Sequence, residues 1–105
     1  MSKDRKQTTI YFYQKVVLSD GGILEIRIFI VPKPVLGSEH KFKYALFYGR
    51  KGETLVLYDN ERLKGDHRHR GDREEPYRFT TIERLVRDFL DDVGAIRTQG
   101  HGEER

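Results

Sequence analysis

The sequence has no cysteine and no tryptophan, one methionine and only three prolines among its 105 residues. Without cysteine, disulfides, thiolate metal sites and cysteine nucleophiles are excluded. No apolar run approaches the roughly 18 residues of a membrane-spanning helix. The start, MSKDRKQTT, is charged and lacks an apolar stretch, so it does not read as a secretory signal. Neither sign of charge dominates, since 20 Lys+Arg against 17 Asp+Glu leave a net +3. Charged residues reach 35% of the chain and apolar residues only 36%, against a usual charged share of about a quarter. That core suffices for one sheet against one helix but not for a deep pocket around a large cofactor, and no cofactor is expected. Six Phe and six Tyr exclude a disordered chain. No P-loop, dinucleotide fingerprint or Gly-x-Ser-x-Gly occurs. What remains is a small, soluble, cytoplasmic single domain over residues 1–105, with frayed ends at about 1–7 and 98–105.

Hydrophobic alternation supplies the elements. Thr8–Leu18 alternates with Ile10, Phe12, Val16 and Leu18 on one face, and Ile23–Val31 with Leu24, Ile26, Ile28 and Ile30. Ser19-Asp20-Gly21-Gly22 between them predicts a hairpin. Pro32 and Pro34 end the second strand. A third strand, His40–Gly49, carries Phe42, Tyr44, Leu46 and Tyr48 on one face, and Arg50-Lys51-Gly52 turns into a fourth, Glu53–Asp59. Asn60–Pro76 has no apolar residue except Leu63 and reads as a long connection of the kind that is functional or disordered. Tyr77-Arg78-Phe79 is a candidate brief return to the sheet. Thr80-Thr81-Ile82-Glu83 fits a capping box with Thr80 as the cap. A helix follows over Thr81–Val93, with Ile82, Leu85, Val86, Phe89 and Val93 at helical spacing and a stop at Gly94. The expected fold is α+β: a small, mostly antiparallel sheet of four to five strands with the C-terminal helix packed on one face. Leu24, Ile26, Ile28, Ile30, Leu85, Val86 and Phe89 form the expected core.

One segment carries the candidate chemistry. Glu61–Glu75 holds five basic residues (Arg62, Lys64, Arg68, Arg70, Arg73), five acidic ones (Glu61, Asp66, Asp72, Glu74, Glu75), and His67 and His69 two apart. If extended, it puts the histidines on one face and Arg68 with Arg70 on the other. Three readings stand side by side. The segment is a solvated loop of weak ion pairs, or a metal site with His67 and His69 and with Asp66 or Asp72 as ligands, or a metal-independent phosphodiester site. In the last, the catalytic set is Lys64, Asp66, His67, Arg68, His69 and Arg70. The imidazoles are acid and base, Asp66 orients one ring, and the cations stabilise the developing charge. His40, at a strand end, reads as ordinary surface, with a supporting role open to it if the paired histidines stand too close to flank a phosphate. His101 lies in the tail.

The first fifty residues hold nine Lys/Arg against four Asp/Glu. Within them Lys33, Lys41, Lys43 and Arg50 are the surplus cations available to phosphates, with Tyr11, Tyr13 and Phe47 as stacking surfaces for an unpaired base. The same aromatics serve equally well to cover the sheet or to meet a partner protein.

The segment Tyr44-Ala45-Leu46-Phe47-Tyr48-Gly49, the motif YDNERLKGDHRHRGDREEPYRF (Tyr58 to Phe79) and the helix reaching Asp88-Phe89 resemble the TumE-like proteins, small toxins of prokaryotic toxin–antitoxin pairs. Lys64, Gly65, Asp66, His67 and His69 match the family's Lys-Gly-Asp-His-x-His core, with Tyr58, Asp59 and Asn60 before it and Tyr77 and Phe79 after it. The resemblance implies a cytoplasmic toxin neutralised by a cognate antitoxin encoded beside it, such as a DNA-binding one. In scale it is also similar to the RelE/ParE toxins, many of which cut mRNA on the ribosome. Two function classes follow. One is a toxin acting on RNA by metal-independent His/Arg/Lys phosphodiester cleavage. The other is a non-enzymatic interaction module whose charged loop or outer sheet face binds a partner protein.

Overall fold

Alternation along the chain resolves into a single antiparallel meander. The computed structural model describes residues 8–103, with the side chains of 99–103 excepted. Its strands are β1 (Thr9–Val17), β2 (Ile23–Ile30), β3 (Phe42–Arg50), β4 (Glu53–Glu61), β5 (Gly65–Arg70) and β6 (Arg73–Pro76), followed by the helix α1 (Ile82–Glu103). They lie in sequence order, β1-β2-β3-β4-β5-β6. The α+β class, the antiparallel sheet and the single C-terminal helix match the expectation. The sheet has six strands, not four to five.

The two extra strands are the charged segment read as a connection. Val56 to Glu61 of β4 pairs residue for residue with Arg70 to Gly65 of β5, and His67–Arg70 pairs with Pro76–Arg73 of β6. Hydrophobic alternation is absent because cross-strand ion pairs fill its place. Arg68 and Arg70 both reach Glu75, at 2.6 and 2.9 Å. Gly71, with φ +62°, opens the two-residue turn between these strands, where a positive φ is required.

One face of the sheet is covered by α1. Ile26 and Ile28 of β2, Tyr44, Leu46 and Tyr48 of β3, and Val56 and Tyr58 of β4 meet Leu85, Phe89 and Val93 of the helix. Leu24 and Val86 pack at the margin of this core. Ile30, expected inside, is 39% exposed at the end of β2. A bulge between Ile10 and Phe12 sets Ile10 opposite Phe29 and Phe12 opposite Ile28. Ile10 and Phe12 therefore face opposite ways and do not share the expected stripe.

The helix is capped one residue later than expected, with the Arg84 N–H donating to Thr81 Oγ1 at 3.1 Å. It also continues through Gly94 to Glu103. Ile96 extends the apolar face against the core, and Arg97 reaches Asp20 at 3.6 Å, so there is tertiary support beyond the glycine. Tyr77 and Phe79 form no strand and pack against the core on the way into the helix. The frayed end expected at residues 1–7 lies outside the described residues, as do residues 104–105.

Candidate functional site

β5 separates its charged residues onto two faces, because successive side chains of a strand point opposite ways. His67 pairs with Asp59 and His69 with Leu57 on the outer face, away from α1. Asp66, Arg68 and Arg70 pair with Asn60, Tyr58 and Val56 on the helix side. The six expected catalytic residues therefore do not converge. Lys64, His67 and His69 form one group, Asp66 belongs to a second, and Arg68 with Arg70 to a third.

Asp66 is the hub of a part-buried network. It accepts from Ser38 Oγ at 2.6 Å, from Tyr44 Oη at 2.7 Å and from His40 Nε2 at 2.7 Å. Burial, and then Asp66, push the Tyr44 hydroxyl far above its ordinary value. His40 accepts the Phe42 N–H on Nδ1 at 3.1 Å and stacks on Phe79 at 3.9 Å. Both ring nitrogens of His40 are thus engaged, as in a neutral Nε2–H imidazole. His40 is neither ordinary surface nor free for proton transfer. The reach of this network depends on backbone contact: a Cβ on Gly37 would lie 2.8 Å from Gly65 N, and one on Gly65 would lie 2.8 Å from Gly37 O. Both glycines have positive φ, so the loop carrying Ser38 and His40 is pinned to the start of β5. Asp66 cannot join His67 and His69 around a metal, as the sequence suggested, because it lies on the other face.

Arg68 and Arg70 join Glu75 and Asp92 beside Tyr58. Arg68 donates to Tyr58 Oη at 2.9 Å, and Tyr58 donates to Asp92. Burial works against the Arg68 charge, but Tyr58, Glu75 and Asp92 outweigh it and hold the guanidinium above its ordinary value. These arginines join β5, β6 and α1.

The outer face has a different character. His67 is buried and its Nδ1 lies 3.0 Å from the Gly65 carbonyl, which can only accept. Nδ1 therefore donates, and this bond fixes the ring with Nε2 turned toward Asp59 and Glu74. His69 is half-buried, with its ring 5.3 Å from that of His67. Glu74 Oε2 lies 3.6 Å from Nε2 of each histidine. Asp59 Oδ1 lies 2.8 Å from His67 Nε2 but outside hydrogen-bond direction, and it is buried without a hydrogen bond. Burial pushes the Asp59 carboxyl above its ordinary range, against the opposing pull of His67. Lys64 Nζ, 3.2 Å from Glu74, holds the Glu74 carboxyl below its usual range. Sequence reasoning missed Glu74 and Asp59, since only the β4–β5 and β5–β6 registers bring them here.

A family model for the toxin TumE matches residues 1–97. The chain belongs to the TumE toxin family. Membership makes it the toxin side of a toxin–antitoxin pair and implies an antitoxin as partner. A search of curated proteins and of solved structures finds no match to the chain. Within this TumE-family fold, the Lys-Gly-Asp-His-x-His core divides its labour. Gly65 and Asp66 anchor a loop, while the exposed Lys64, the buried His67 and the half-buried His69 meet Glu74 on the outer face.

The four expected phosphate contacts also divide. Lys33 and Lys41 are exposed around the β2–β3 connection, and Lys43 is exposed on β3 beside Phe29, near Asp59. All three stand at the end of the sheet where β5 begins. Arg50 lies at the opposite end, with Asp20 and Arg97. No helix among the described residues is long and apolar enough to cross a membrane.

Proposed function

We propose that this TumE-family toxin cleaves RNA, and that its reactive surface is the outer face of the β5–β6 hairpin. The observation that carries this reading is His67: its ring is oriented by Gly65, and its Nε2 stands between the Asp59 and Glu74 carboxylates beside the half-buried His69. RNA brings its own nucleophile, the 2′-hydroxyl, so the protein need only handle protons and charge. Lys64 is the cation on this face, and Lys33, Lys41 and Lys43 supply phosphate contacts at the same end of the sheet.

In the metal-independent form of the reaction, one imidazole removes the 2′-proton and the other protonates the departing 5′-oxygen. Two rings 5.3 Å apart on one strand face meet a phosphate from the same side. From there one ring faces the 2′-oxygen and the other the departing 5′-oxygen of a single phosphate. Arg68 and Arg70, on the other face, do not reach it.

The test is cleavage of a single-stranded RNA by wild type and by His69→Ala. A 2′,3′-cyclic phosphate end made by wild type and lost by at least 100-fold in the variant supports the reading. An intact substrate with folded wild type, or a variant as fast as wild type, contradicts it.

A second reading, a non-enzymatic module, is favoured by a separate feature. An apolar groove of about 660 Å³ runs between β1 and α1, lined by Tyr11, Phe12, Ile28, Val86 and Leu90. Loss of antitoxin binding, with RNA untouched, is its signature.

A further inference from the structure

We infer that His67, His69 and Glu74 form a three-residue binding site for a divalent cation of the zinc class, with the Asp59 carboxylate beside it. The His67 and His69 ring nitrogens and Glu74 Oε2 can be drawn from one cluster whose ligand atoms all lie within 4.8 Å of one another. Both Nε2 atoms are 3.6 Å from Glu74 Oε2. Donors about 2.0–2.2 Å from a tetrahedral ion stand about 3.3–3.6 Å apart, so both histidine–Glu74 separations already match, and the two imidazole nitrogens, within 4.8 Å of one another, form the third side.

Two features of the surroundings point the same way. His67 gives its Nδ1–H to the Gly65 carbonyl, the arrangement that fixes a metal-binding imidazole with its other nitrogen free. Asp59 brings a buried carboxylate oxygen beside that nitrogen with no hydrogen bond of its own, which a cation in front of both would satisfy. Lys64 Nζ stands 3.2 Å from the same Glu74 Oε2 and 3.6 Å from Glu61, so the ion takes the place of Lys64 at that oxygen and leaves the ammonium paired with Glu61. Two imidazoles and one carboxylate suit a borderline ion such as Zn²⁺ or Co²⁺ better than Mg²⁺ or Ca²⁺, which prefer all-oxygen sets. The ion takes the same His67 and His69 nitrogens that the metal-independent RNA chemistry uses, so the loaded and the cleaving forms are alternatives, and the site stands on its own donor geometry.

The experiment is a titration of tag-free protein with Co²⁺, read by its visible absorption, followed by displacement with Zn²⁺. Wild type is expected to bind one equivalent and to melt higher when loaded. His69→Ala and Glu74→Gln change half-buried or exposed groups and keep the fold, as their circular dichroism will show. Each is expected to bind at least 10-fold more weakly. No cobalt spectrum in wild type, or variants binding as tightly as wild type, overturns the site. The titration is independent of RNA cleavage: metal bound by a protein that leaves RNA intact even when metal-free supports the site and counts only against the cleavage reading.

Discussion

His69 and Glu74 face one another across the β5–β6 hairpin, paired in register with Nε2 and Oε2 3.6 Å apart. Neither residue has an apolar neighbour in sequence. Their meeting depends on the turn at Gly71-Asp72, which folds a charged stretch back on itself. The chemistry of the outer face is therefore a product of strand register.

Asp66 acts through the fold. Asp66→Ala removes the common acceptor of Ser38, His40 and Tyr44, leaving part-buried donors without a partner. The expected loss is on the order of 3 kcal/mol, or a fall in Tm of more than about 10 °C for a domain of this size. A variant that melts like wild type yet abolishes toxicity would place Asp66 in the chemistry instead.

Gly65 tests the pinning of the Ser38–His40 loop. Alanine there meets both a positive φ of 77° and a backbone oxygen at 2.8 Å. Gly71→Ala meets a positive φ but no neighbour within 4 Å. Thermal melts should rank them: Gly65→Ala loses about 1–3 kcal/mol and Gly71→Ala less. The reverse order would mean that the Gly37–Gly65 approach does not constrain the fold.

Phe89 is wholly buried against Tyr58 and the sheet. Phe89→Ala is expected to cost roughly 3–5 kcal/mol in urea unfolding, a large fraction of the stability of such a domain. An unchanged midpoint would show that α1 does not pack through this residue.

Asp20 gives a pH dependence with a defined sign. Its carboxylate accepts the Gly22 N–H at 2.9 Å, and this bond, helped by Arg97 and Arg50, holds its pKa below the ordinary value. A depressed folded pKa stabilises above the unfolded value of about 3.9, and that stability is lost as pH falls through the folded one. In urea melts, wild type should exceed Asp20→Asn at pH 6, and the gap should close toward pH 3. A gap that stays constant would contradict the role assigned to the carboxylate.

Much of the fold is legible because burial writes a period into the sequence. Ile26 and Ile28 are set by alternation, and Leu85, Phe89 and Val93 by helical spacing. The hairpin turns follow from their glycines. Ile10 departs from its expected face because a bulge is invisible to a strict period of two. The helix runs past Gly94 because tertiary support from Ile96 and Arg97 outweighs a local stop signal. β5 and β6 are hidden in a pattern of alternating charge, although the opposed faces of His67/His69 and Arg68/Arg70 follow from strand geometry alone. The pairing of Glu74 and Asp59 with the histidines is long-range or register-dependent, so the residue types near His67 point to Asp66, its sequence neighbour on the wrong face.

The measurement that tests the outer face most directly is growth arrest on induction of wild type and His69→Ala without antitoxin, with antitoxin binding measured in parallel. Wild type is expected to arrest growth, whereas His69→Ala accumulates to the same level, binds the antitoxin and leaves growth unaffected. Arrest by His69→Ala equal to that of wild type would contradict a reactive role for this face.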